Sequence, residues 1–174
     1  MGNDSYLIPG TSVLRNRLGI SDAEALDEVM NDYASVAWAS LHMTSPVIPN
    51  LEFFRHIHVE MFSRVFSWAG EYRTVSVSPA GVNRDYCPPD EIEARLEFLF
   101  TRLVEADFLQ NLEPWEFCSK AADVWSELTY LHPYRDGNTR SQSLWVTQLV
   151  EHAGYELDWT KINPVHLRDV RLSS

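Results

Sequence analysis

The chain has 174 residues, 45% of them hydrophobic and 12% aromatic, which suffices for a packed core and excludes a disordered segment. Its formal net charge of −11, from 14 basic and 25 acidic side chains, argues against direct nucleic-acid binding, although a few local cations suffice for a nucleotide. Cys87 and Cys118 stand in no ligand-spaced cluster, Met1–Tyr6 has no leader character, and no stretch reaches membrane length, so a cytoplasmic protein with reduced thiols and no membrane contact is expected.

No repeat or low-complexity linker interrupts the chain, so one domain over 1–174 is expected. Ser21-Asp22-Ala23-Glu24 has the form of a capping box and predicts a helix to about Thr44, stopped by Pro46 and Pro49. Asp27, Glu28 and Asp32 read as its solvated face. Asn50 caps a second helix with Phe53, Phe54, Ile57, Met61 and Val65 inward. His56 and His58, two apart on that helix, face different ways and read as surface or packing groups.

After the turn Trp68–Arg73, the alternating run Thr74-Val75-Ser76-Val77-Ser78 and the return Asp85-Tyr86-Cys87 predict a β-hairpin flap over about 74–87. A third helix runs from Asp90 to about Ala106 on Ile92, Leu96, Leu99, Phe100, Leu103 and Val104. A fourth runs from Pro114 to Leu131, with Cys118, Ala121, Ala122, Trp125 and Leu128 inward. A fifth starts near Thr139 and stops at Gly154, and Asn163-Pro164 opens a short last helix. Trp38, Trp115, Trp125 and Trp145 fall at helical positions and read as core or half-buried. The expected fold is all-α with one small β-hairpin.

The chemistry concentrates in His132-Pro133-Tyr134-Arg135-Asp136-Gly137-Asn138-Thr139-Arg140. Pro133 pushes its predecessor out of the α region, and Gly137-Asn138 precedes the next helical pattern, so the run is a helix–loop–helix connection. Its second half lies at a helix N-terminus, where free N–H groups and the dipole attract anions. Arg140 adds a phosphate contact there, Asp136 is a carboxylate suited to Mg²⁺ beside phosphate oxygens, and a histidine can take the proton of an attacking hydroxyl.

The same run resembles the signature of the Fic (Fic/Doc) family, His-Pro-Phe-x-Asp/Glu-Gly-Asn-Gly-Arg-x-x-Arg, with Tyr134 for the usual Phe. Two further blocks are similar to family segments: 9–20, an entry segment of small bacterial members, and 66–73, which leads into the family's flap. The resemblance implies a Fic-type helical bundle and transfer of AMP from ATP, with Mg²⁺, to a hydroxyl of another protein. By the same resemblance His132 is the general base, Asp136 the metal ligand, Gly137, Asn138 and Thr139 the anion hole, and Arg140 a phosphate ligand. Thr74, Val75, Ser76 and Val77 dock the target by strand addition, and Tyr134 anchors the loop. DNA topoisomerase subunits are implied targets. A small antitoxin is an implied partner, because the chain carries no Ser/Thr-x-x-x-Glu-Gly/Asn inhibitory run.

The sequence departs from the signature twice. Thr139 replaces the second glycine and Ser143 the last arginine. Loss of that guanidinium implies a hold on the terminal phosphate of ATP weaker by about 1.5–3 kcal/mol. Two alternatives therefore stand beside AMP transfer: a Fic-fold enzyme moving another phosphate-containing group, and a binding module without turnover.

Overall fold

The computed structural model describes residues 4–43, 47–79, 81 and 85–173. Among them the regular structure is helical: α1 (Ala23–His42), α2 (Leu51–Phe62), α3 (Ile92–Glu105), α4 (Pro114–Leu131), α5 (Asn138–His152) and α6 (Pro164–Ser173). None of these helices is long and apolar enough to cross a membrane. The caps explain the boundaries. Asp22, one residue later than the expected Ser21, accepts from the Ala25 N–H and starts α1. Asn50 does the same for α2 through the Phe53 N–H, and Asn163 for α6 through the N–H groups of Val165 and His166. The expected end of α1 at Thr44, like the breaker Pro46, lies outside the described residues; the described helix ends at His42.

The helices share one apolar core, and its centre is aromatic. Phe54 of α2 meets Phe100 of α3, Trp145 of α5 and Tyr134 of the motif loop, with ring centroids 5.9, 6.0 and 5.8 Å away. The same core therefore fixes α2, α5 and the loop relative to one another. Gln142, fully buried on α5, donates to the Leu128 carbonyl of α4 at 2.8 Å and pins those two helices at the loop that joins them. Residues 4–20 turn back on themselves through a single bridge between Leu7 and Leu14. This entry segment is tied to the end of α2 by the Arg17 N–H, which donates to the Val65 carbonyl.

Several expectations on helix faces need correction. Val104 and Trp115 are exposed, and so are Cys118 and Ala122. The inward face of α4 is carried by Phe117, Ala121, Leu128 and Leu131, one position away from the expected stripe at its N-terminal end. Phe117 packs on Tyr155, centroids 4.7 Å apart, and this contact sets the rotation of the first turn.

The β-hairpin flap over 74–87 is not formed as a pair of strands among the described residues. Residues 75–79 and 85–87 lie side by side with one ladder bond, the Tyr86 N–H donating to the Val77 carbonyl at 3.2 Å. The other backbone groups are taken elsewhere: Arg73 binds the carbonyls of Val75 and Cys87, and the Cys87 N–H donates to Tyr130 on α4. Ala80, Val82 and Asn83 of the expected loop lie outside the described residues.

Candidate active site

The motif loop begins with a strained residue. His132 closes α4 in the left-handed region, φ 41° and ψ 58°, a conformation disfavoured for a residue with a Cβ and disfavoured again before proline. The neighbouring structure holds it there. The Arg73 Nε–H donates to the His132 carbonyl at 2.8 Å, and the Arg73 backbone N–H donates to the Pro133 carbonyl at 2.8 Å. Arg73 is 1% exposed, and its remaining donors reach the carbonyls of Leu131, Val75 and Cys87. A buried guanidinium with carbonyl partners at the negative end of α4 thus joins the helix end, His132 and the segments at Val75 and Cys87. Burial lowers its pKa from the ordinary arginine value, while the hydrogen bonds keep the charged form in place.

The side chain of His132 lies flat against Tyr86, ring centroids 3.8 Å apart and planes 7° apart. His132 and Tyr86 line a cleft of about 290 Å³ together with Val77, Ser78, Asp136, Thr139 and Arg140. Residues separated by 63 positions in sequence, Val77 and Arg140, so line one cleft.

Across the cleft lies the start of α5. Its N-cap is Gly137 at φ 81°, and no side chain caps the helix. The glycine is required twice over, by its positive φ and because a Cβ would come within 2.3 Å of the Phe62 ring. The first-turn N–H groups of Asn138, Thr139 and Arg140 have no acceptor within the helix, which leaves an anion site at its positive end. Asn138 contributes by its backbone, since its carboxamide clamps the loop: Oδ1 accepts from the Tyr134 N–H and Nδ2 donates to the Tyr134 carbonyl. Thr139 is exposed at the rim.

Asp136 and Arg140 sit one helical turn apart. The Asp136 carboxylate accepts from the Gly137 N–H and lies 3.5 Å from the Arg140 guanidinium. Arg140 also donates to Asn31 at 2.7 Å and approaches Asp27 at 3.4 Å, both on α1, with its guanidinium over the Phe62 ring. Asp27, expected on a solvated face, is exposed there and also pairs with the motif arginine. Arg135, which also lines the cleft, is held by Asp4 through Nε and Nη2 at 3.0 and 2.8 Å.

Two supporting side chains escaped the sequence reading, His58 and Arg73. His58 is fully buried and stacked on Tyr134, centroids 3.7 Å apart. Its Nδ1 accepts from the Gly70 N–H at 2.9 Å, so the proton sits on Nε2, which donates to the Asp136 carbonyl at 3.0 Å. The signal was present: Phe54, Ile57, His58 and Met61 keep helical spacing on one face of α2, which puts His58 inside. His56 is exposed, so the two face different ways, as expected.

Burial lowers the His58 pKa from 6.5 to about 3. The folded state then binds fewer protons than the unfolded chain between those values, so stability is fully present above about 6.5 and falls as pH drops towards about 3. The expected slope from this residue is up to about 1.4 kcal/mol per pH unit. Urea unfolding at a series of pH values checks it, and His58→Gln should flatten the slope.

Tyr134 is as buried as His58, its phenol pKa is pushed well up by burial, and its hydroxyl has no hydrogen-bond partner among the described residues. A buried hydroxyl without a partner costs free energy. Tyr134→Phe is therefore expected to leave activity intact and to stabilise the protein by about 1 kcal/mol, read as a higher urea midpoint.

The model of the family described as Fic/DOC matches residues 48–150, more than half the chain, including the whole motif loop. The chain belongs to the Fic/DOC family. It is 32% identical to the probable protein adenylyltransferase Fic of Escherichia coli (strain K12) over 92% of this chain and 79% of that protein. It is 34% identical to the probable protein adenylyltransferase y4lH of Sinorhizobium fredii over 98% and 88%. Among solved structures it superposes on BepC, a VirB-translocated Bartonella effector protein from Bartonella tribocorum with bound AMPPNP. The TM-score is 0.89 at 26% identity, over 97% of this chain and 87% of that one. Of the nine defined positions of the signature, this Fic/DOC protein keeps six in register and carries Tyr134, Thr139 and Ser143 at the other three.

Proposed function

We infer that this Fic/DOC protein is a protein adenylyltransferase that moves AMP from ATP to a hydroxyl side chain of a second protein. One observation carries the inference: His132 shares a cleft with the uncapped N-terminus of α5, Asp136 and Arg140. An acid–base group stands there against a preformed anion site, the pairing that nucleotidyl transfer requires. The relatives named as adenylyltransferases support the same reading.

In this reading the α-phosphate rests in the anion hole of Gly137, Asn138 and Thr139, on the free first-turn N–H groups of Asn138 and Thr139 beside the Gly137 turn, and Arg140 carries charge from the leaving phosphates. His132 accepts the proton of the target hydroxyl as its oxygen attacks the α-phosphorus. Arg73 keeps the ring at the mouth of the cleft by fixing its backbone, and Tyr86 restricts its rotation. Asp136 suits Mg²⁺: a single half-exposed carboxylate beside an anion site matches a cation that takes one or two carboxylates with phosphate oxygens and water. When bound, the ion would neutralise charge on the phosphates.

Thr74, Val75, Ser76 and Val77 form the docking edge for the target. Thr74 and Ser76 are exposed and alternate with half-buried valines, the pattern of a segment that accepts an added strand. A DNA topoisomerase subunit as target and a small antitoxin as inhibitor belong to the same reading, on the strength of the family resemblance, and a cytoplasmic location goes with the two unclustered cysteines.

Mass spectrometry of a bacterial extract incubated with the protein, ATP and Mg²⁺ tests the function. Peptides carrying AMP on Ser, Thr or Tyr are expected, and none should appear with His132→Ala. AMP-free peptides in both samples would leave the two alternatives tied to Thr139 and Ser143: transfer of another phosphate-containing group, or a binding module without turnover.

A further inference from the structure

A second cavity of about 480 Å³ adjoins the anion site on the side away from His132. Thr139 and Arg140 line both spaces, so the two are continuous around the first turn of α5. The rest of the groove is largely apolar: Ala34 and Trp38 of α1, Met61 of α2 and Trp159, with Ser143 on the α5 side. Trp159 is a fixed wall, its indole N–H donating to Thr147 at 3.0 Å and its ring meeting Trp38 edge to face at 6.1 Å. The volume and lining are those of a small-ligand site.

In-line displacement puts the leaving group opposite the attacking oxygen. The base and the docking segment lie on the cleft side, so the groove receives the leaving group. Its electrostatics do not suit pyrophosphate. Among the described side chains that line it, Arg140 is the one cation, and its guanidinium is already engaged by Asn31, Asp27 and Asp136. A multiply charged tail would enter a space with one compensated positive charge and two indole walls, at a desolvation cost with little return. A neutral ring would stack there instead.

We propose that this groove is a leaving-group subsite for adenosine diphosphate esters, in which the second phosphate carries a neutral, ring-bearing group. ATP remains a donor, and such esters are better ones. The inference rests on the reading of His132 and the α5 N-terminus as a transfer site. The target oxygen forms its bond to the α-phosphorus and the α–β anhydride bond breaks. The electron pair leaves on the bridging oxygen as the phosphate monoester of the ring group, and the hydroxyl proton passes to His132.

Calorimetric titration of the full chain with ATP, ADP-glucose and diadenosine diphosphate tests the subsite without requiring turnover. The esters are expected to bind about tenfold more tightly than ATP or better. Trp38→Ala should weaken them about tenfold and change ATP by less than about threefold. Ser143→Arg, at the half-buried edge of the groove, should reverse the preference and guards against a Trp38 variant that fails to fold. Tighter binding of ATP by the wild type, or equal weakening of all three ligands by Trp38→Ala, overturns the proposal. If the expected binding pattern appears and no AMP is transferred from any donor, the subsite stands and the transfer reading alone falls.

Discussion

Replacing His132 by alanine is expected to slow AMP transfer by about 10²- to 10⁴-fold, the range for loss of a positioned general base. The fold should survive. The imidazole is half-buried and its contact is with Tyr86 on the outer side of the loop, whereas the backbone of residue 132 is held by Arg73 through a carbonyl that alanine keeps. The unfolding midpoint should therefore move little while the rate falls. Nucleotide affinity should also hold, because the anion site is built from backbone N–H groups of α5. Steady-state kinetics with calorimetric binding separates the two quantities: a drop in kcat at nearly constant nucleotide Kd is the expected signature.

Arg73→Met is expected to act in the opposite way, through stability first. It removes a side chain that is 1% exposed and satisfies the carbonyls of Val75, Cys87, Leu131 and His132. Methionine fills much of the volume and satisfies none of them. Hydrogen bonds to a charged group contribute about 1.5–3 kcal/mol each, and they are not additive. A loss of about 3 kcal/mol or more is a conservative expectation, visible as a large fall in the urea midpoint. Arg73→Lys should recover only part of it, because an ammonium has three donors and cannot span the same fork of acceptors. Whatever Arg73→Met protein remains folded should also be slow, since the left-handed conformation of His132 loses its holder.

The helices were legible because they carry their own boundaries. Asn50, Pro114, Asn163 and Gly154 mark ends by local chemistry that needs no tertiary context, and the structure places helix ends at each. Ser21 and Asp22 show the limit of such signals: both can cap, and the choice of Asp22 turns on which carboxylate or hydroxyl reaches the Ala25 N–H. The face of α4 was misjudged because Cys118 and Ala122 are small enough to be tolerated on either side. Their exposure follows from where Tyr155 receives Phe117.

The motif suggested chemistry but not a mechanical assembly. A run of nine residues proposed roles for His132, Asp136, Gly137 and Arg140, and the structure brings the four to one cleft. Nothing in that run shows that Arg73 holds the His132 backbone from 59 positions away, or that His58 supports the Asp136 turn from 78 positions away. The expected hairpin is not shown as paired strands among the described residues, for a related reason. Alternating β-formers at 74–78 report what a segment can do, and here Arg73 and Tyr130 take the backbone groups that a ladder would use. Asp27 is on a solvated face, as expected, but its partner Arg140, 113 positions away, could not be read from the helix pattern alone.

The measurement closest to the central claim compares ATP radiolabelled at the α-phosphate with ATP radiolabelled at the γ-phosphate, each incubated with wild-type protein, Mg²⁺ and a bacterial extract. Label on protein from the α-position only, absent when His132→Ala is used, is the predicted result. Label from the γ-position only, or α-label that persists in His132→Ala, would contradict nucleotidyl transfer by this site.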